Sequence, residues 1–189
     1  MQRECGMSAI DRLIENYQRQ VALPWAPNRS GKQRVWFVVY APAEERRLRA
    51  RLQLFEAATL EARHGWHLVD LTRLLPEWLS KNEYREAIFG EPHYLAAGGE
   101  IEDLAVSRVR ATCRAAEVNA DEVVAILGLG SLFDFIRVSR LLDAVEGDIR
   151  GRLLVFFPGA YQHNTYRFMD ARDGFNYMAV PITSSESFI

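Results

Sequence analysis

Cysteine is almost absent from this chain. The two that occur, Cys5 and Cys113, stand far apart with no C-x-x-C pair and no paired histidine spacing, which argues against both a disulfide framework and a structural zinc site. An excess of charge of one sign is missing too. The 23 Lys and Arg against 25 Asp and Glu leave a net charge of -2, so nothing attracts the chain in bulk to nucleic acid or to an anionic membrane. No stretch approaches 18 uninterrupted apolar residues, and the N-terminal "MQRECGMSAIDRLIENYQRQ" carries charges where a signal peptide has its apolar segment. A soluble, cytoplasmic protein with no membrane segment and no direct nucleic-acid binding is expected. Repeats and low-complexity tracts are also lacking, and 189 residues suit one domain with a real core, so residues 1–189 are read as a single α/β domain.

What is present alternates. Ile10, Leu13, Ile14, Tyr17 and Val21 recur at helical spacing behind a capping Ser8. After the breakers Pro24, Pro27 and Gly31 comes "RVWFVVYAP", an apolar run suited to a strand buried on both faces. Residues 43–63 then read as a helix with Leu48, Leu52, Phe55, Thr59 and Ala62 on one stripe. "HLVDL" is a second strand, and the segment from Thr72 to Val118 a helical layer, broken at Pro76 and near Gly90, with a longer helix beginning near Glu100. "EVVAILGLG" is a third strand followed by the helix "SLFDFIRVSRLLDAVEG", and "GRLLVFFPG" a fourth strand closed by Pro158-Gly159. Alternating segments flanking Asp173-Gly174 signal a hairpin. The expected architecture is a mostly parallel, Rossmann-like sheet flanked by helices, with a C-terminal antiparallel hairpin at the edge. Ligands in such sheets sit at the carboxyl ends of strands, here Ala41-Pro42, Leu71-Thr72, Gly128 to Ser131 and Pro158-Gly159.

The turn Gly128-Leu129-Gly130-Ser131 resembles a phosphate loop only in outline. It has no lysine, it is too short for a Walker loop, and Phe133 takes the place of the third glycine of a dinucleotide fingerprint. The better account is structural: Ser131 as a helix cap completed by Asp134, with the glycines allowing the turn. His64 and His67 flank Gly65-Trp66 with only Asp70 near as a further metal ligand, His93 and His163 are single loop residues, and neither cysteine has a neighbouring base. No catalytic set can be assembled, and no cofactor or metal site is assigned. Two stretches remain, "EERRLRAR" and "YRFMDARDGFNY", in which Arg, Tyr and Phe mix as they do at interface centres. A solvated face explains most of the first, and hairpin alternation part of the second. Arg47, Arg51, Tyr161, Tyr166 and Arg172 are the candidate partner-binding residues.

Three motifs taken in order, "FFPG", "YRFMDARDG" and "NYMAVPI", together with "YAPAEERRLRARL", "GWHLVDLTRLLPEW" and "GLGSLFDFIRVSRLL", resemble BrxB, the small component of BREX phage-defence systems. The resemblance spans residues 40–52, 65–78 and 128–182, with little from the N-terminal helix or residues 81–120. It implies work by assembly. Such proteins are encoded with a methyltransferase, an ATPase and a PglZ-type protein, and have no established activity of their own. The family supplies no catalytic residues, so Gly128, Gly130, Pro158, Gly159, Asp170 and Asp173 match as motif positions only. Two readings stay open: a non-enzymatic adaptor that binds another system protein, foremost the PglZ-type protein, with a homodimer as a further assembly; or a nucleotide- or phosphate-binding sensor or enzyme using the sheet's carboxyl edge near Gly128-Ser131.

Overall fold

The protein's structure, a computed structural model, describes residues 7–26, 30–91, 99–115, 117–172 and 174–185. Helix α1 (Ala9–Val21) begins as its capping residues dictate: Ser8 Oγ accepts from the Asp11 amide at 3.2 Å while the Asp11 carboxylate accepts from the Ser8 amide at 3.2 Å. Its stripe of Ile10, Leu13, Ile14, Tyr17 and Val21 is buried. The apolar runs become strands β1 (Val35–Tyr40), β2 (Gly65–Asp70), β3 (Glu122–Leu127) and β4 (Arg152–Gln162), joined by β5 (Thr165–Phe168) and β6 (Val180–Ile182). The order is β2-β3-β4-β1-β6, all parallel, and β5 pairs antiparallel with β4.

Every residue of β1 is buried, because helices cover both sheet faces. Trp36, Val38 and Tyr40 enter one core with α1, while Val35, Phe37 and Val39 enter the other. Each large apolar side chain so removed from water contributes about 1.5–3 kcal/mol. The first core is covered by α1, α2 (Glu45–Ala50) and α3 (Leu52–Glu61), which bury Leu48, Phe55, Ala58 and Thr59. Buried Thr59 keeps its hydroxyl satisfied by donating to the Phe55 carbonyl at 2.8 Å, with the Tyr17 hydroxyl 2.6 Å away. The helix expected over 43–63 is divided at Arg51 (φ -118°), whose guanidinium is paired with Asp11 on α1.

The second core lies under α4 (Leu74–Lys81), α6 (Glu100–Arg114) and α7 (Val138–Val145), with α5 (Arg85–Gly90) following α4. Three boundaries differ from those expected. Pro76 does not break a helix; it occupies the first turn of α4, where its missing N–H has no intrahelical partner to lose. The helix after β3 begins at Val138 and not at Ser131: residues 129–132 form a 3-10 turn, and Asp134 takes a left-handed φ of +70°. β4 does not close at Pro158-Gly159. It runs on to Gln162 and returns as β5 through His163 and Asn164, both at positive φ (+49° and +61°), as a two-residue hairpin turn requires. Gly159 is demanded by this pairing, since a Cβ there would stand 2.1 Å from the Arg167 carbonyl. The hairpin turn is therefore ten residues before Asp173-Gly174. Asp173 lies outside the described residues, and around it Tyr166 and Phe175 form one antiparallel bridge.

Candidate functional site

The chain leaves β1 toward the α2 side and leaves β2 and β3 toward the α6 and α7 side, so the carboxyl ends of the strands open a cleft between them. All four expected strand ends contribute to a cavity of about 270 Å³: Pro42 after β1, Thr72 after β2, Gly130 and Ser131 after β3, and Pro158 in β4. One charged network crosses it. Arg49 Nε donates to Glu45 Oε1 at 2.6 Å, Nη2 donates to Thr72 Oγ1 at 2.8 Å, and Nη1 lies 3.7 Å from Asp70 Oδ2. The Thr72 amide donates to Asp70 Oδ1 at 2.9 Å and its hydroxyl to the same oxygen. Tyr40 donates its hydroxyl to the second Glu45 oxygen. Burial raises the Tyr40 pKa and the adjacent Glu45 carboxylate raises it further, so the phenol stays a donor.

This arrangement uses up its own charge. One guanidinium faces two carboxylates: it donates to Glu45 and Thr72 and is ion-paired with Asp70. A phosphate entering would meet net negative charge. The glycine turn is filled as well. Gly128 has φ +88°, and a Cβ there would stand 2.5 Å from the Thr72 amide nitrogen. Gly130 is not in the left-handed region, so the strained position of the turn is the first glycine. Ser131 is not a helix cap: its hydroxyl donates back to the Gly128 carbonyl at 2.7 Å, and Asp134 completes no capping box.

The candidate partner-binding residues do not form one patch. Arg47 is exposed and pairs with Glu44 at 3.0 Å, Arg51 is held by Asp11, and half-buried Tyr161 donates to Asn164 Oδ1 at 2.9 Å. Tyr166 must be withdrawn from the surface set: it is fully buried, packs on Phe37 and Phe157, and donates to the Ala179 carbonyl at 3.1 Å. Its place on the inward face of β5 could not be read before the strand register was known. Arg172 is exposed and lines a groove of about 610 Å³ between residues 133–139 and 168–175. Phe133, Ile136 and Arg137 in that groove were missed because residues 131–147 read as one helix. His64 stacks on Trp25 at 3.6 Å, and His67 Nε2 is 2.9 Å from Glu122 Oε2. Cys5 and His93 lie outside the described residues. Among the described residues no group of three or more His, Cys, Asp or Glu could hold a metal ion, and no helix is long and apolar enough to cross a membrane.

Against this geometry stand the comparisons with known proteins. The model of the family described as BREX protein BrxB matches residues 68–182, more than half of the chain. No curated protein and no solved structure matches.

Proposed function

The chain belongs to the BrxB family of BREX phage-defence components, and we propose that within such a system it is a non-enzymatic adaptor that docks onto another system protein, foremost the PglZ-type protein. The observation that carries this reading is the cleft at the carboxyl edge. In a sheet of this type a ligand would bind there, and the Glu45-Arg49-Asp70-Thr72 network occupies it with charge already paired inside the protein. The network works as a clamp: Arg49 on α2 holds the chain leaving β2 through Thr72 and Asp70, and Thr72 packs closely against the Gly128 turn. A cytoplasmic location belongs to the same proposal.

The second reading, a nucleotide or phosphate sensor, draws on the same cleft, because the carboxyl ends of β1, β2 and β3 meet in it beside Pro158 of β4. A melting titration with ATP, GTP and NAD separates the two. A ligand of the native state at about 100 times its dissociation constant adds about 2.7 kcal/mol of stability. The adaptor reading expects no shift with any of the three, together with co-purification of the PglZ-type protein from cells carrying the whole system. Arg47→Ala, Arg51→Ala, Tyr161→Ala and Arg172→Ala should each be compared with the parent in that co-purification and in protection against phage. A saturable rise in melting temperature with one nucleotide, and no recovery of any system protein, would reverse the assignment.

A further inference from the structure

The groove beside Arg172 is built more firmly than a surface depression needs to be. Its floor is aromatic and fixed from below: Phe168 packs on Phe157 with ring centroids 5.4 Å apart, Phe175 packs on Tyr166 at 5.9 Å, and Phe133 leans on Phe168 at 5.6 Å. The Tyr166–Phe175 bridge ties one wall to β5, with amide-to-carbonyl bonds of 2.8 Å in both directions. The opposite wall is held where the Arg137 amide donates to Glu102 Oε2 at 2.8 Å, and Glu102 is itself paired with Arg140 at 3.3 Å. Rings locked in this way lose little further entropy when a partner covers them.

The rim has a charge preference. Among the described residues three charged side chains line the groove, Arg137, Arg172 and Asp134, and all three are exposed. Among the described residues neither arginine has a carboxylate within ion-pair distance, in contrast to Arg47, Arg49, Arg110 and Arg114. Among the described residues the rim carries two arginines against one aspartate. A small anion would gain little from guanidinium groups standing in water, whereas an apolar side chain set among the phenylalanines would gain from burial and leave its neighbours beside the arginines.

Resting on the adaptor reading, we propose that this groove receives a segment of a partner protein that carries an aliphatic or aromatic anchor flanked by carboxylates. The anchor sits on Phe133, Phe168 and Phe175, and the carboxylates face Arg137 and Arg172. The groove thus gives the adaptor a defined docking face, built from the hairpin and from the segment between β3 and α7.

A photoreactive phenylalanine at Ser139, on the groove, and another at Glu56, on the far-side helix α3, test this in the full chain within cells carrying the defence system. The expected result is a crosslink from position 139, absent from position 56, to a segment of another system protein that contains an apolar residue with Asp or Glu beside it. Arg137→Glu with Arg172→Glu should reduce that crosslink by about tenfold or more, since like charges replace attraction. Ala171→Trp should block it by filling the groove while the melting temperature holds. If a system protein co-purifies but position 139 captures none of it, or the captured segment is basic, the groove is wrong and the adaptor reading stands. Crosslinks to nucleic acid or to a second copy of this chain overturn the groove assignment equally. If no system protein co-purifies with the parent, the adaptor reading fails and the groove falls with it.

Discussion

Replacing Gly128 by alanine should injure the fold far more than the same change at Gly130, two residues away. At Gly128 the backbone has φ +88°, a conformation that costs an L residue about 1–2 kcal/mol relative to glycine. The added Cβ would also stand 2.5 Å from the Thr72 amide nitrogen, 2.5 Å from Thr72 Oγ1 and 3.0 Å from Asp70 Oδ1, where ordinary contact begins at 3.4 Å. A hydroxyl can rotate away; a backbone nitrogen cannot, and moving it disturbs the bonds from Thr72 to Asp70 and from Arg49 to Thr72. Overpacking of this kind costs about 1–3 kcal/mol, so the total is about 2–5 kcal/mol. For a domain of this size 1 kcal/mol corresponds to about 2–4 °C, which places the fall in melting temperature at about 4–20 °C. At Gly130 the new Cβ would meet Pro158 Cγ at 3.4 Å and Met169 Sδ at 3.7 Å, both tolerable, with no positive φ. Gly130→Ala should therefore stay within about 1 kcal/mol of the parent. Thermal unfolding followed by circular dichroism, with urea unfolding as a second measure, reads both variants. A Gly128→Ala protein melting like the parent, or a Gly130→Ala protein losing as much, would refute the account of the turn.

Three further outcomes follow from buried or partly buried groups. Tyr166→Ala should cost about 3–5 kcal/mol by leaving a cavity among Phe37, Phe157 and Phe175, while Tyr166→Phe should cost about 1 kcal/mol through its bond to the Ala179 carbonyl; equal melting of the two variants would count against a core role. Burial disfavours the charged Asp148 carboxylate, but hydrogen bonds from Arg114 and Arg110 outweigh it and hold its pKa below the usual 3.8. A carboxylate whose folded pKa is depressed contributes stability above its unfolded pKa and loses it as pH falls through the folded value; Asp148→Asn should lower stability at neutral pH and flatten the acid limb of the stability curve below about pH 4, and an unchanged acid limb would disprove the coupling. Burial, reinforced by the Asp148 charge, pushes the Cys113 thiol up to about 11, so alkylation at pH 8 should label it only after denaturation, as peptide mapping would record.

The parts of this fold that were legible in the sequence are those whose cause is local. The capping Ser8, the stripe of α1, the start of α6 near Glu100 and the uninterrupted apolar runs of β1, β3 and β4 each announce themselves within a few residues, because a helix period, a cap or a run buried on both faces is a property of the segment alone. The ends of β1, β2 and β3 that meet in the cleft were legible too, since a parallel α/β sheet leaves its carboxyl ends open whatever its strand order, but the expected end of β4 at Pro158-Gly159 was not one.

Contacts between distant segments decided the rest. Whether Gly128 or Gly130 is the constrained glycine depends on Thr72, which lies next to the turn only because β2 pairs with β3. Arg49 became part of an internally paired clamp with two carboxylates and not an anion ligand because α2 delivers it to Asp70 and Thr72. The side on which Tyr166 falls was set by register: with a turn at His163-Asn164 opposite the extension of β4, alternation sends Tyr166 and Phe168 inward and Thr165 and Arg167 outward. Composition and local patterning therefore determined a two-faced α/β core of ordinary charge. The clamp at its carboxyl edge and the groove beside Arg172 exist only once strand order and register bring segments far apart in the chain within a few ångströms, because a side chain's partner is chosen by that pairing and not by its neighbours in sequence.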